Sequence, residues 1–335
     1  MKKIVCVGSA TKDIFLEINE NKIIDNSQDI TAKKLVAFEL GAKVYASHCF
    51  ERLGGSAVNV AAGLTKAGMR AFVFSRVKKG ETGDWIIKKL GKMKVKKNYL
   101  QKTGNADTAV SVIVSDYKNQ DRIIFRAGDS VQAFDLAKAI SEFKEKVDWI
   151  YLGSQKNDWQ EKVKLAFEFA KLKKAKLVLS PSSWQISNEA KRLVATLKNV
   201  QILFLNRDEA IELIKNNEGM AQDNPKDLVK MILSYGVKIV AMTDGAAGAY
   251  AGDKDGIIHL SSLATKVKET VGAGDAFCSG FLASYIEKND IKQALAWGIA
   301  NSAGAISQIG GTEGLLTRKE MHQKERDLIS QIKNI

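Results

Sequence analysis

Two prolines, three cysteines and three histidines are all that the 335 residues contain of the types that usually mark special structure. With only Pro181 and Pro225, and no repeated or low-complexity segment, no proline-rich linker divides the chain. Cys6, Cys49 and Cys278 are odd in number, far apart and without metal-ligand spacing. They read as reduced thiols of a cytoplasmic protein, not as a disulfide framework. His48, His259 and His322 are scattered and form no H-E-x-x-H set. No apolar run approaches the ~20 residues that span a bilayer, so no membrane partner is expected. The opening Met1-Lys2-Lys3-Ile4-Val5-Cys6-Val7-Gly8 has the basic head of a signal peptide. Its apolar part soon stops at a glycine, however, and a first strand is expected there.

Basic charge is plentiful: 51 Lys and Arg against 38 Asp and Glu, a net +13. The lysines are dispersed, as in Lys88-Lys89, Lys92, Lys94 and Lys96-Lys97, on segments with apolar residues at helical spacing. They read as solvated faces. Without an RNP, zinc-finger or basic-zipper pattern, no nucleic-acid partner is expected. Excess positive charge does favour nucleotides and phosphorylated small molecules.

Short β-branched runs alternate with longer helical patterns. Strands are expected at 4–7, 71–75, 110–114, 123–125, 149–152, 177–179, 202–205, 239–242 and 248–250. Helices are expected near 57–68, 81–92, 134–145, 159–172, 187–196, 207–216, 225–234 and 290–307. That alternation implies βαβ units, hence an α/β fold with a mainly parallel sheet flanked by helices. Ligands in such sheets bind at the carboxyl ends of the strands. Two regions break the pattern, 14–50 and 106–127. Both look like hairpins inserted in a single domain spanning 1–335, and a small β lid over a substrate is the economical interpretation.

Four clusters carry chemistry. In Thr270-Val271-Gly272-Ala273-Gly274-Asp275-Ala276-Phe277 a glycine turn enters a helix, presenting backbone amides and a helix N-terminus suited to phosphate. Asp275 there is either a helix cap or a base acting on a hydroxyl. Leu53-Gly54-Gly55-Ser56-Ala57-Val58-Asn59 is a Gly-Gly turn feeding a helix of small residues, with Asn59 able to donate to and accept from a hydroxyl. Asn206 and Glu209 follow a strand three residues apart, as either a helix cap or a water-mediated Mg²⁺ site. Thr243-Asp244-Gly245-Ala246-Ala247-Gly248 joins two strands as a hairpin turn or a phosphate-contacting loop. No G-x-x-x-x-G-K-[ST] P-loop occurs.

In this order the four clusters resemble the ribokinase-like, or phosphofructokinase B, carbohydrate kinases, from Gly8 to about Gly311. The resemblance implies a Rossmann-like core with a β lid, and ATP-dependent phosphorylation of a primary hydroxyl on a small sugar. By resemblance Asp275 is the catalytic base, and the amides of Gly272, Ala273 and Gly274 form the anion hole. Asn206, with Glu209 reached through water, serves ATP phosphate and Mg²⁺. Thr243, Gly245 and Gly248 belong to the nucleotide loop, and Asn301 lines the adenine pocket. Asp13, Gly54, Gly55 and Asn59 hold the acceptor.

The sequence departs from the family's pattern in places. Glu269 replaces the usual Asp beside the anion hole, which puts activation by K⁺ in question. Ser56 and Thr11 stand where ribokinases proper carry Lys and Asn, and Ser180-Pro181-Ser182-Ser183 replaces an Asp-Pro-Asn segment. Arg122 and Arg126 fall in the lid. A nucleoside acceptor is the alternative to a sugar, and a catalytically silent sugar- or nucleotide-binding regulator is a further one. Exposed lid edges also allow a homodimer.

Overall fold

The computed structural model describes the chain except residues 19–21, 26–33, 105–106, 117–120, 129–133 and 157. The polar middle of the expected lid segment 14–50 and the turn at 117–120 therefore lie largely outside the described residues.

The strands run in chain order β1 (Lys3–Val7), β2 (Thr11–Ile18), β3 (Lys22–Asp25), β4 (Lys34–Ala37) and β5 (Ala46–Gly54). They continue as β6 (Arg70–Lys78), β7 (Leu100–Thr103), β8 (Ala109–Asp116), β9 (Asp121–Ala127), β10 (Trp149–Leu152) and β11 (Lys176–Leu179). The last are β12 (Ile202–Asn206), β13 (Ile239–Thr243), β14 (Ala249–Asp253), β15 (Gly256–Leu260) and β16 (Lys333–Asn334). The helices are α1 (Ser56–Lys66), α2 (Glu81–Lys92), α3 (Leu136–Glu142), α4 (Trp159–Lys173) and α5 (Ser183–Thr196). They are followed by α6 (Arg207–Glu218), α7 (Pro225–Ser234), α8 (Ala273–Lys288), α9 (Ile291–Ile306) and α10 (Arg318–Ile329).

The main sheet has the order β16-β15-β14-β13-β12-β11-β10-β1-β6-β7. Strands β7 through β13 of that row are parallel, and β14, β15 and β16 add an antiparallel edge. Side chains alternate across the sheet as strand geometry demands. On β1, Ile4 and Cys6 enter one apolar core with α1, α8, α9 and α10. Val5 and Val7 enter the opposite core with α3 to α7. With both faces covered, β1 is apolar along its whole buried length.

A second sheet has the order β5-β2-β8-β9. The two hairpins expected from the sequence are joined in this sheet, because β2 pairs in parallel with β8 from Thr11–Ala109 to Ile18–Asp116. Strand β5 begins at Ala46, late in the expected hairpin region 14–50, and β3 pairs with β4 as a separate ribbon. Strands β7, β15 and β16 and helix α10 were not anticipated.

All loops leaving the carboxyl ends of β1, β10, β11, β12 and β13 open on one side of the main sheet. These loops, together with the N-termini of α1 and α8, build the site.

Candidate active site

Asp13 lies on β2, 5% exposed, and accepts a hydrogen bond from Thr11 Oγ1 at 2.8 Å. Burial raises its pKa above the ordinary carboxylate value, against the hydrogen bonds from Thr11 and Ser111 and the nearby positive charge of Arg126. Gly54 is required beside it, since a Cβ there would lie 1.8 Å from Asp13 Oδ2. Gly55 caps α1 with φ of 98°, in the left-handed region, and a Cβ on it would lie 2.4 Å from the Ser9 carbonyl oxygen. One turn in, Asn59 is 4% exposed and donates from Nδ2 to Asp275 Oδ2 at 2.9 Å, while its Oδ1 has no partner. Two motifs more than two hundred residues apart thus meet in one hydrogen bond.

Asp275 stands in the first turn of α8. Gly272, with φ of 83°, is the N-cap, and no side chain caps this helix, so Asp275 is not its cap. Burial lifts the Asp275 carboxyl to a pKa of about 6 and the negative charge of Asp13 adds to this, while the Asn59 bond and Arg126 pull it down. The sequence assigned the amides of Gly272, Ala273 and Gly274 to an anion hole. In the structure the Ala273 amide donates to the Thr270 carbonyl at 3.2 Å. Among the described residues the amides of Gly272, Gly274 and Asp275 itself have no backbone acceptor, so they are the donors left at this helix end.

On one side of this turn is a largely apolar cavity of about 460 Å³. Thr243, Gly245 and Gly248 contribute to its wall, with Leu263, Val267, Thr270, Gly274, Phe277, Ile299 and Ile306. Thr243 to Gly248 is a turn between antiparallel β13 and β14, so the hairpin reading of that loop is realised, and the turn is also part of this wall. Asn301 is a correction. It is 1% exposed, donates to Ala276 O and Ser279 Oγ and accepts from the Leu316 amide. It fastens α9 to α8, and its neighbours Ser302 and Ala303 line the cavity instead. Leu263, Ala264 and Val267 of the wall were missed, since a loop without periodicity carries no sequence signal.

A second, polar cavity of about 450 Å³ collects Ser9, Thr11, Ser111, Arg126, Gln155, Lys156, Ser182, Ser183 and Trp184. These come from the ends of β1, β10 and β11 and from the lid sheet, a set that only folding assembles. Nearby, Asn206 and Glu209 form a reciprocal capping box: Asn206 accepts from the Glu209 amide at 2.8 Å and Glu209 Oε2 from the Asn206 amide at 3.0 Å. The helix-cap reading of this pair is therefore realised. Glu209 Oε1 keeps only a 3.4 Å contact from Ser183 Oγ, and burial raises the carboxyl's pKa.

Glu269 is 7% exposed. Its Oε1 accepts from the amides of Thr270 and Val271 at 2.7 and 3.0 Å, and Ser115 of the lid donates to Oε2 at 3.0 Å. Arg122, also from the lid, pairs with Glu269 at 3.7 Å and donates to Thr270 Oγ1. The four-stranded sheet is tied to the Thr270–Asp275 turn through this carboxylate.

The family model described as pfkB family carbohydrate kinase matches residues 1–318. The chain belongs to this family. As a pfkB family kinase it is an ATP-dependent phosphotransferase acting on a carbohydrate-type acceptor. Among its relatives is an ATP-dependent 6-phosphofructokinase of Thermoanaerobacterium thermosaccharolyticum, 24% identical over 263 residues, 77% of this chain and 80% of that one. In fold it is similar to the nucleoside kinase of Methanocaldococcus jannaschii, at 20% identity and a TM-score of 0.74, covering 98% of this chain and 99% of the other. The Arabidopsis thaliana ribokinase with ribose and ATP aligns at 19% identity and a TM-score of 0.76, covering 97% and 98%. No helix among the described residues is long and apolar enough to cross a membrane.

Proposed function

We propose that this pfkB family kinase transfers the γ-phosphoryl group of ATP to a primary hydroxyl of a small sugar, with Asp275 as the base. The observation that carries this is the position of Asp275 in the first turn of α8, hydrogen-bonded to Asn59 and next to Gly274, which lines the apolar cavity. A carboxyl with a pKa of about 6 is ionised at neutral pH yet more basic than an ordinary Asp, which suits proton removal from an alcohol. Asn59 occupies Oδ2, leaving Oδ1 for the hydroxyl, and the unpartnered Asn59 Oδ1 is available to the same substrate. The amides of Gly272, Gly274 and Asp275 receive the transferred phosphoryl. The apolar cavity takes adenine. Asp13 orients the acceptor's hydroxyls, and the four-stranded sheet is read as a lid on a single kinase domain spanning 1–335.

Among the described residues no group of three or more His, Cys, Asp or Glu could hold a metal. That fits Mg²⁺ carried mainly by ATP, with Glu209 Oε1 reaching it through water; when bound, the ion would neutralise phosphate charge. The residues do not fit a monovalent cation at Glu269, whose oxygens already meet two amides, Ser115 and Arg122.

Trp184 in the polar cavity favours a second reading, a nucleoside acceptor whose base stacks on the indole. ADP release with ribose, fructose, 2-keto-3-deoxygluconate, adenosine, cytidine and inosine decides between them, and turnover of nucleosides alone refutes the sugar assignment. A cytoplasmic setting accords with the three free thiols. A homodimer through the lid accords with exposed Ile124 and Phe125 on its edge strand β9; a monomer in sedimentation removes it.

A further inference from the structure

If the polar cavity beside Asp13 holds the acceptor, as proposed above, its walls also describe that acceptor's charge. Arg126 and Lys156 both line it, while the carboxylates of Asp13 and Asp275, though within electrostatic reach of Arg126, are not among its described lining residues. Both cationic side chains are exposed, and among the described residues neither has an ion-pair contact. Their placement follows from strand register. Asp13 on β2 faces Ser111 on β8, and Ser111 faces Arg126 on β9. Directly paired residues share a face of a sheet, so Asp13, Ser111 and Arg126 form one cross-strand row. The guanidinium is close enough to favour the ionised forms of Asp13 and Asp275 without contacting either. Its donors stay open toward the cavity. In the same wall Gln155 is 2% exposed, and its Oε1 has no partner. A buried acceptor left unpaired is unfavourable, and a ligand hydroxyl would satisfy it.

We propose that the acceptor is an acidic polyol whose anionic group, a carboxylate or a phosphate, is bound by Arg126 and Lys156, while Asp13 and Gln155 take its hydroxyls. The planar guanidinium suits a two-oxygen anion, and Lys156 adds a point charge. Neutral sugars and nucleosides leave both cations without a partner.

Initial rates with Mg-ATP at pH 8, where Asp275 stays ionised with or without Arg126, test this. The acceptor arms are a sugar acid (2-keto-3-deoxygluconate), a sugar monophosphate (fructose 6-phosphate), fructose and adenosine. One anionic arm is expected to exceed both neutral arms at least tenfold in kcat/KM, and which one it is separates carboxylate from phosphate. In Arg126→Ala the ratio of anionic to neutral kcat/KM should fall about 10- to 100-fold through KM, the span of one charge-assisted hydrogen bond. Arg126→Lys should restore part of it. Preference for a neutral arm, or an Arg126→Ala loss equal on all arms, overturns the anion assignment and leaves the kinase reading intact. Absence of turnover on every arm, with ATP still bound, overturns both.

Discussion

Replacing Asp275 by Asn should make the enzyme slower and more stable at once. Asn keeps the size and still accepts from Asn59 Nδ2, so the 2.9 Å bond survives. Lost are the charge and the ability to take a proton, and turnover should drop by ~10²–10⁴, the usual span for a general base. The stability effect follows from the same burial. The carboxyl's pKa rises from 3.8 to about 6 on folding, so the folded state binds the proton more tightly than the unfolded chain. Its favourable contribution is complete below pH 3.8 and is lost as pH rises through about 6. At pH 7.5 the ionised group therefore costs the fold up to about 3 kcal/mol. Asn carries no charge at any pH and escapes that cost. Urea denaturation at pH 7.5 should show Asp275→Asn more stable by about 1–3 kcal/mol, and the difference should shrink as pH falls below 6. Turnover within tenfold of wild type would remove Asp275 from the base role. An equal or lower urea midpoint at pH 7.5 would refute the claim that burial raises this pKa.

Wild-type kcat/KM should fall about tenfold per pH step below about 6, and Asn59→Ala should move that limb to higher pH, because the Asn59 bond stabilises the ionised carboxylate; pH–rate profiles of the two proteins check it. Gly54→Ala should raise the acceptor KM about 10- to 100-fold while leaving ATP affinity unchanged, since the new Cβ, 1.8 Å from Asp13 Oδ2, must displace that carboxylate. Saturation kinetics with calorimetric ATP binding would show it. Exchanging K⁺ for Na⁺ in the assay should change turnover less than about twofold, as the Glu269 carboxylate already has protein donors and Arg122 beside it. A large K⁺ activation would refute that account of Glu269.

Much of this was readable because it is local. Glycines at 54, 55 and 272 announce turns through conformations and clearances that side chains do not tolerate, and the Asn206–Glu209 spacing announces a cap. Alternation of short apolar runs with helical patterns was enough for an α/β sheet, because a strand buried on both faces must be apolar throughout. The two-residue edge strand β16 escaped notice because a short, polar, exposed edge carries little pattern.

What the sequence determined alone is therefore the sheet class, the turns and the residues able to do the chemistry. Tertiary structure decided which of them meet. The parallel β2–β8 pairing placed Arg126 in a row with Asp13, and the bond from Asn59 to Asp275 joined the two glycine motifs. The close docking of α8 and α9 turned Asn301 inward to satisfy buried polar groups and left the cavity wall to its neighbours. Such outcomes depend on long-range burial and on where each polar atom finds a partner, and no run of adjacent residues encodes either.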